Sequence, residues 1–333
     1  MNKKENIEEK LNMKLPINTH PLLLARDPEA YIFAMMTAKD EKALPFLLSR
    51  FISVAAYNDT SKTEAVVGYN NNYVDYYLWR SGKLRLDTVQ IPNDVAYDGL
   101  AVNIIKSLLD TGEYVIGIWN EQYVPCKRSY MNNYMAADFL LYGYDDKAQQ
   151  FNNFGWNGGG LTEFTVSYDI MSKALPLKDP PMHLLWGASV ADADSSFDVV
   201  NTAAELREFV SANGSNHDSC AFGYKAIEYL AHDVRTRQKA IGCIDKREML
   251  FLQELVALMR IRIDYLISNG IINNSELLSK ALRAEQDACN ISCMGDQNKY
   301  NEAAKAIMLL SQSMKDIAQS LLIELEGNHA AAV

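Results

Sequence analysis

The chain has 333 residues, 48% of them hydrophobic, and a formal net charge of -10. That length supports a sizeable core and two domains, while an acidic balance without clustered Lys or Arg excludes a nucleic-acid partner. The Lys-, Glu- and Asn-rich start reads as a mobile leader over residues 1–15 and lacks the apolar core of a signal peptide. No run approaches the roughly 18 apolar residues of a membrane span, so a cytoplasmic protein without membrane contact is expected.

After the leader, Pro16 and Pro21 hold Leu15–Leu24 extended. His20 in this stretch is either a loop histidine or one that approaches a site. Asp27-Pro28-Glu29 starts a helix, with Pro in the first turn and carboxylates against the dipole. A second helix is expected within Ala43–Ala56. The segment Ala65–Trp79 carries Tyr69, Tyr73, Tyr76 and Tyr77, which suit a packed strand or, less simply, a phenolic pocket wall. Leu100, Val102, Ile104, Ile105, Leu108 and Leu109 recur at helical spacing up to Gly112.

From Glu113 to Val166 three apolar and aromatic runs, bounded by Asn, Asp and Gly, predict consecutive antiparallel strands. Asp145-Asp146 suits a hairpin turn, as does Asn157-Gly158-Gly159-Gly160. Thr162–Val166 closes the sheet, and Ser167 caps a short helix ending near Leu175. Pro176, Pro180 and Pro181, followed by the small, acidic run Ala188–Ser196, predict a connection between domains. Beyond it the pattern is helical. Thr202-Ala203-Ala204-Glu205 matches a capping box, and Phe222–Val234, Met249–Asn269, Ser275–Asn290 and Lys299–Glu326 read as helices of a bundle. The broad apolar face of Met249–Asn269 also suits a homodimer contact.

The run Ala137-Asp138-Phe139-Leu140-Leu141-Tyr142-Gly143-Tyr144-Asp145-Asp146 resembles the strand that carries the catalytic His in papain-like cysteine peptidases and their acyltransferase relatives. Together with Asn120-Glu121, Tyr123-Val124-Pro125 and Tyr130, it is similar to a bacterial family related to the N-terminal domain of butirosin biosynthesis protein H. Phe222-Gly223 and Leu258-Met259-Arg260-Ile261-Arg262 extend the resemblance into the helical half. It implies an α+β fold, with a papain-like domain over 16–187 built on a central antiparallel sheet and a helical domain over 198–327. It also implies acyl transfer or amide-bond formation from a thioester in the assembly of a specialised metabolite, as in nonribosomal-peptide pathways. The implied partners are a carrier protein bearing a phosphopantetheine thioester, or a small thioester, and an amine acceptor. No resident cofactor or metal is implied.

Such a site needs a thiolate, an imidazole that shuttles the proton, and a group that orients the ring. Ala137 stands where the family has His, and no Cys precedes Cys126. The chain is therefore catalytically silent, uses other groups, or is an engineered variant. A precursor-cleaving peptidase would lack the same parts. Asn120, Glu121 and Asp138 form a candidate polar cluster at one sheet edge, with Glu121 or Asp138 as a base if burial raises its pKa. Cys126, followed by Lys127 and Arg128, is the thiol that neighbouring cations would favour as thiolate. Tyr134, Tyr142, Asn152 and Trp156 are candidate binding residues beside this strand. Lys127-Arg128 and Arg235-Thr236-Arg237 are candidate basic patches for an acidic carrier protein. The remaining cysteines, Cys220, Cys243, Cys289 and Cys293, lack CxxC spacing and suggest neither disulfides nor zinc. His183 and His232 read as structural.

Overall fold

The computed structural model describes residues 11–38, 41–59, 64–69, 84–92, 99–157, 160–177, 182–190, 196–213, 219–296 and 299–331. In chain order its first elements are β1 (Asn12–Lys14), α1 (Asp27–Met36), α2 (Leu44–Leu48), β2 (Val54–Asp59), β3 (Glu64–Tyr69), β4 (Leu84–Pro92) and α3 (Leu100–Asp110). Then follow β5 (Tyr114–Asn120), β6 (Ala136–Asp145), β7 (Gln150–Trp156), β8 (Leu161–Ser167), α4 (Tyr168–Ala174) and β9 (Met182–Val190). The last are α5 (Val199–Ser211), β10 (Ser219–Phe222), α6 (Tyr224–Asp233), a π turn (Val234–Gln238), α7 (Lys239–Ile241), α8 (Lys246–Ser268), α9 (Ser275–Asp296) and α10 (Tyr300–Ala331). Helix and sheet are thus mixed, with an antiparallel sheet followed by C-terminal helices. Among the described residues no helix is long and apolar enough to cross a membrane.

Two compact units divide the chain. The first comprises Met1–Pro21, Asp27–Glu41 and Tyr73–Asp194; the second comprises Leu22–Arg26, Lys42–Asn72 and Ser195–Val333. Residues 42–72, assigned from sequence to the sheet domain, therefore belong with the helices.

In the first unit seven strands run in the order β4-β9-β5-β6-β7-β8, and β1 pairs with the part of β6 beyond β5. Every pairing is antiparallel. Alternation sets the two faces of β6. Phe139 and Leu141 join Trp119, Val115, Phe151 and the α3 residues Ile105 and Leu109 in one apolar cluster. Each such large side chain contributes roughly 1.5–3 kcal/mol by leaving water. α1 packs on β6 and β7. The turn Asp145–Ala148 forms as its sequence predicts, because Asp145 Oδ1 accepts from the backbone N–H groups of Lys147 and Ala148 at 2.8 and 2.9 Å. Ser167 Oγ likewise accepts from Ile170 N at 3.2 Å and caps α4.

Four expectations are corrected. The mobile leader expected over residues 1–15 does not include Asn12–Leu15, because Asn12–Lys14 form β1 against β6 and Leu15 N donates to the Tyr142 carbonyl at 2.7 Å. The helix within Ala43–Ala56 ends at Leu48: Phe51 adopts a positive φ of 59°, and β-branched Ile52 and Val54 lead into β2, which pairs with β3 and β10. The expected connection at Ala188–Ser196 begins inside β9, whose Ala188 lies between Leu86 of β4 and Tyr114 of β5. The small residues continue the strand, with Gly187 paired to Asp87 of β4 and Val115 of β5, and a Cβ there would meet the Glu113 carboxylate at 3.0 Å and the Leu108 side chain at 3.2 Å. Finally, Asp198 rather than Thr202 caps α5, accepting from Asn201 N at 2.9 Å, while Thr202 Oγ1 donates back to the Asp198 carbonyl.

Candidate functional site

The site is built where β5 and β6 meet at one end of the sheet. Asn120 pairs with Ala136, Trp119 with Ala137 and Ile118 with Asp138. Ala137 is thus on the Trp119 face and packs against the apolar cluster, whereas Asp138 takes the opposite face. Pairing of β6 with β7 stops at Leu140–Phe154, although β7 continues alongside β8 to Trp156. In the resulting notch Tyr31 of α1 donates its hydroxyl hydrogen to the Asp138 carbonyl at 3.3 Å.

Asn120, which ends β5, and Glu121, which follows it, each have a partner within the cluster. Asn120 Oδ1 accepts from Gln122 N at 3.1 Å and from Met135 N at 3.2 Å, fixing the 3-10 turn that follows β5. Glu121 is buried and forms an ion pair with Lys127, Nζ to Oε1, at 2.9 Å. The Lys127 ammonium also stands 5.5 Å from the Trp119 ring and 5.6 Å from the Phe164 ring, a geometry in which the ring quadrupoles attract it. Among the described residues the buried Trp119 indole N–H has no acceptor, and Ala137 across from it offers only a methyl group.

This arrangement overturns the reading of Cys126 as a favoured thiolate. Burial pushes its thiol pKa up, the Lys127 charge opposes that only in part, and the Glu121 carboxylate adds to it. Lys127 is held by Glu121 and so is not a free cation at the surface; of the expected basic pair only Arg128 is exposed.

Asp138 differs from its neighbours. Its carboxyl is pushed up to about 6, first by burial and then by the charge of Asp27 at the start of α1. Its side chain accepts no hydrogen bond among the described residues. A carboxyl with such a pKa exchanges its proton near neutral pH, as a general acid or base must.

The candidate binding residues are scattered. Trp156 ends β7 beside the notch, and Tyr134 lies two residues before β6. Tyr142 is four residues further along β6 than Asp138, about 13 Å at strand rise. It is buried and donates to Glu163, with Lys14 stacked at 5.3 Å over its ring. Asn152 pairs opposite Gly143 at that same far end. Both support strand pairing and do not join the notch. His20 is exposed in its loop. Asp27 and Tyr31 were not singled out from sequence, where only the helix start at Asp27 is legible and nothing ties it to β6.

Among the described residues no group of three or more His, Cys, Asp or Glu side chains is placed to hold a metal ion. No family model matches the chain, and no curated protein matches it significantly.

Proposed function

We propose that this chain is a binding member of the papain-like α+β architecture, which holds an acyl thioester, free or on a carrier protein, without forming a covalent thiol intermediate. The substrate class comes from the resemblance of Ala137–Asp146 and its neighbours to the thioester-using family. The observation that carries the non-covalent reading is the partnered state of the cluster at the end of β5. Glu121 neutralises Lys127, Asn120 binds two backbone N–H groups, Ala137 has no imidazole, and burial disfavours the Cys126 thiolate.

A second reading, acid–base catalysis without a thiol, is favoured by the raised pKa of Asp138. In it the carboxylate accepts the proton of an attacking amine or water while the thioester is held in the notch.

Intact-protein mass spectrometry and calorimetry with an acyl-pantetheine thioester, on this chain and on Ala137→His, test both. The binding reading expects saturable heat and no mass increase in this chain. A stable acyl adduct on Cys126 overturns it. Thioester loss that rises with pH and disappears in Asp138→Asn would replace it with the acid–base reading.

A further inference from the structure

The helical unit contains a second place where ligand chemistry is concentrated. α6 continues into the π turn Val234–Gln238, an irregularity that adds a residue to a helical turn and recurs at binding sites. The turn is locked from inside. Buried Gln238 donates Nε2 to Asp233 Oδ2 at 2.8 Å, and its Oε1 accepts from Asp245 N, at the start of α8, at 2.9 Å. Thr236 Oγ1 adds a bond to the His232 carbonyl at 2.8 Å. A buried amide satisfied at both ends is a fixed feature, because leaving either end unbonded would be costly. Its effect is to hold Arg235 on the outer side of the turn, beside His232.

Opposite, α10 presents Ala304, Lys305 and Met308 on one face. The two faces line an open groove of about 560 Å³, a volume within the roughly 300–1,000 Å³ of small-molecule sites. Ala231 and Ala304 are small and buried, which leaves the hollow, and Met308 completes an apolar wall. Around it stand His232, Arg235, Lys305 and Glu228. None of these four side chains has an ion-pair or hydrogen-bond partner among the described residues. In a chain of net charge -10, two exposed cations and an imidazole line this apolar floor beside Glu228, and among the described residues no carboxylate is bound to either cation.

We propose that this groove binds an organic phosphate monoester, with the phosphate on Arg235, Lys305 and His232 and a short apolar body against Ala231, Ala304 and Met308. The guanidinium fork matches two phosphate oxygens, the ammonium acts as a point charge, and the ring supplies a third donor. A phosphate offers three oxygens to these three groups, whereas a carboxylate offers two. The proposal concerns α6, the π turn and α10 alone and does not rest on the reading of the sheet site.

Calorimetry on the full chain tests it with phenyl phosphate, benzoate and inorganic phosphate as probes. Phenyl phosphate is expected to bind most tightly and to weaken about tenfold in Arg235→Gln and in Lys305→Gln. Lys280→Gln, on α9 and paired with Glu276, should leave binding unchanged. Glu228→Gln removes a like charge and should tighten binding by about threefold, a gain that misfolding cannot imitate. Absence of phenyl phosphate binding, or binding indifferent to both cation substitutions, overturns the site. Equal affinity for benzoate or for inorganic phosphate overturns the ligand class.

Discussion

Lys127 reaches Glu121 across 2.9 Å with the two side chains only 5% and 11% exposed. A pair so far removed from water is costly to break from one side, because the remaining charge stays buried. Lys127→Met and Glu121→Gln are each expected to destabilise the fold by about 3–5 kcal/mol, whereas the double substitution should recover most of that loss. Urea unfolding of the four proteins provides the double-mutant cycle. Additive losses would mean that the pair contributes no mutual interaction and that Lys127 is held by its aromatic neighbours.

Asp138 makes stability depend on pH in an unusual direction for a carboxylate. Its folded pKa of about 6 lies above the ordinary aspartate value of 3.8, so between those values the folded state binds more protons than the unfolded one. Stability from this group is fully present below about pH 4 and declines as pH rises through 6. Asp138→Asn should therefore gain up to about 3 kcal/mol over the parent at pH 8 and show no gain at pH 4. Asp27→Asn should move the transition towards lower pH, since one of the two causes of the shift is removed. A parent and Asp138→Asn pair with parallel stability profiles would refute this.

How much was legible from sequence follows from how local each signal is. The β5–β8 meander was readable because each strand pairs with its sequence neighbour and its turns carry their own Asp and Asn chemistry. α8 was readable because its periodicity is long. β9 was not: Pro180, Pro181 and a run of small residues look like a connection, and its partners β4 and β5 lie far away in sequence. The same holds at the site. Ala137 and Asn120 were placed by a strand motif, but the influence of Asp27 on Asp138, and the capture of Lys127 by Glu121, depend on tertiary packing that no spacing encodes.

Gly143 is where β1 lies against β6. A Cβ there would fall 2.3 Å from the Met13 carbonyl oxygen and 2.9 Å from Lys14 Cα, both backbone atoms with no rotamer to escape through. Gly143→Ala should release β1 and cost about 2–4 kcal/mol. Hydrogen exchange locates the effect, because the Leu15 amide bound to the Tyr142 carbonyl and the Asp146 amide bound to the Leu11 carbonyl should exchange faster. Unaltered protection at both would show that the strand accommodates the methyl group.

In the second unit Arg262, buried to 1% exposure, replaces missing backbone donors for the segment between α2 and β2. Its Nε donates to the Leu48 carbonyl at 2.5 Å and its Nη2 to the Arg50 carbonyl at 2.7 Å. Its charge also opposes the burial that pushes the Glu205 carboxyl up, alongside the bonds Glu205 accepts from Ile52 N and Asn201 Nδ2, each at 2.9 Å. Arg262→Met leaves two carbonyls without donors and Glu205 without its cation, a loss expected at about 3–5 kcal/mol. Because a raised carboxylate favours the folded state only while protonated, the loss should be smaller near pH 5 than near pH 8, to the extent that protonation relieves Glu205. Adding Glu205→Gln to Arg262→Met should flatten that pH dependence while leaving the loss from the two carbonyls. Chemical denaturation of the single and double variants at both pH values decides the point: a deficit that is the same at both would assign the role of Arg262 to the carbonyls of Leu48 and Arg50 alone.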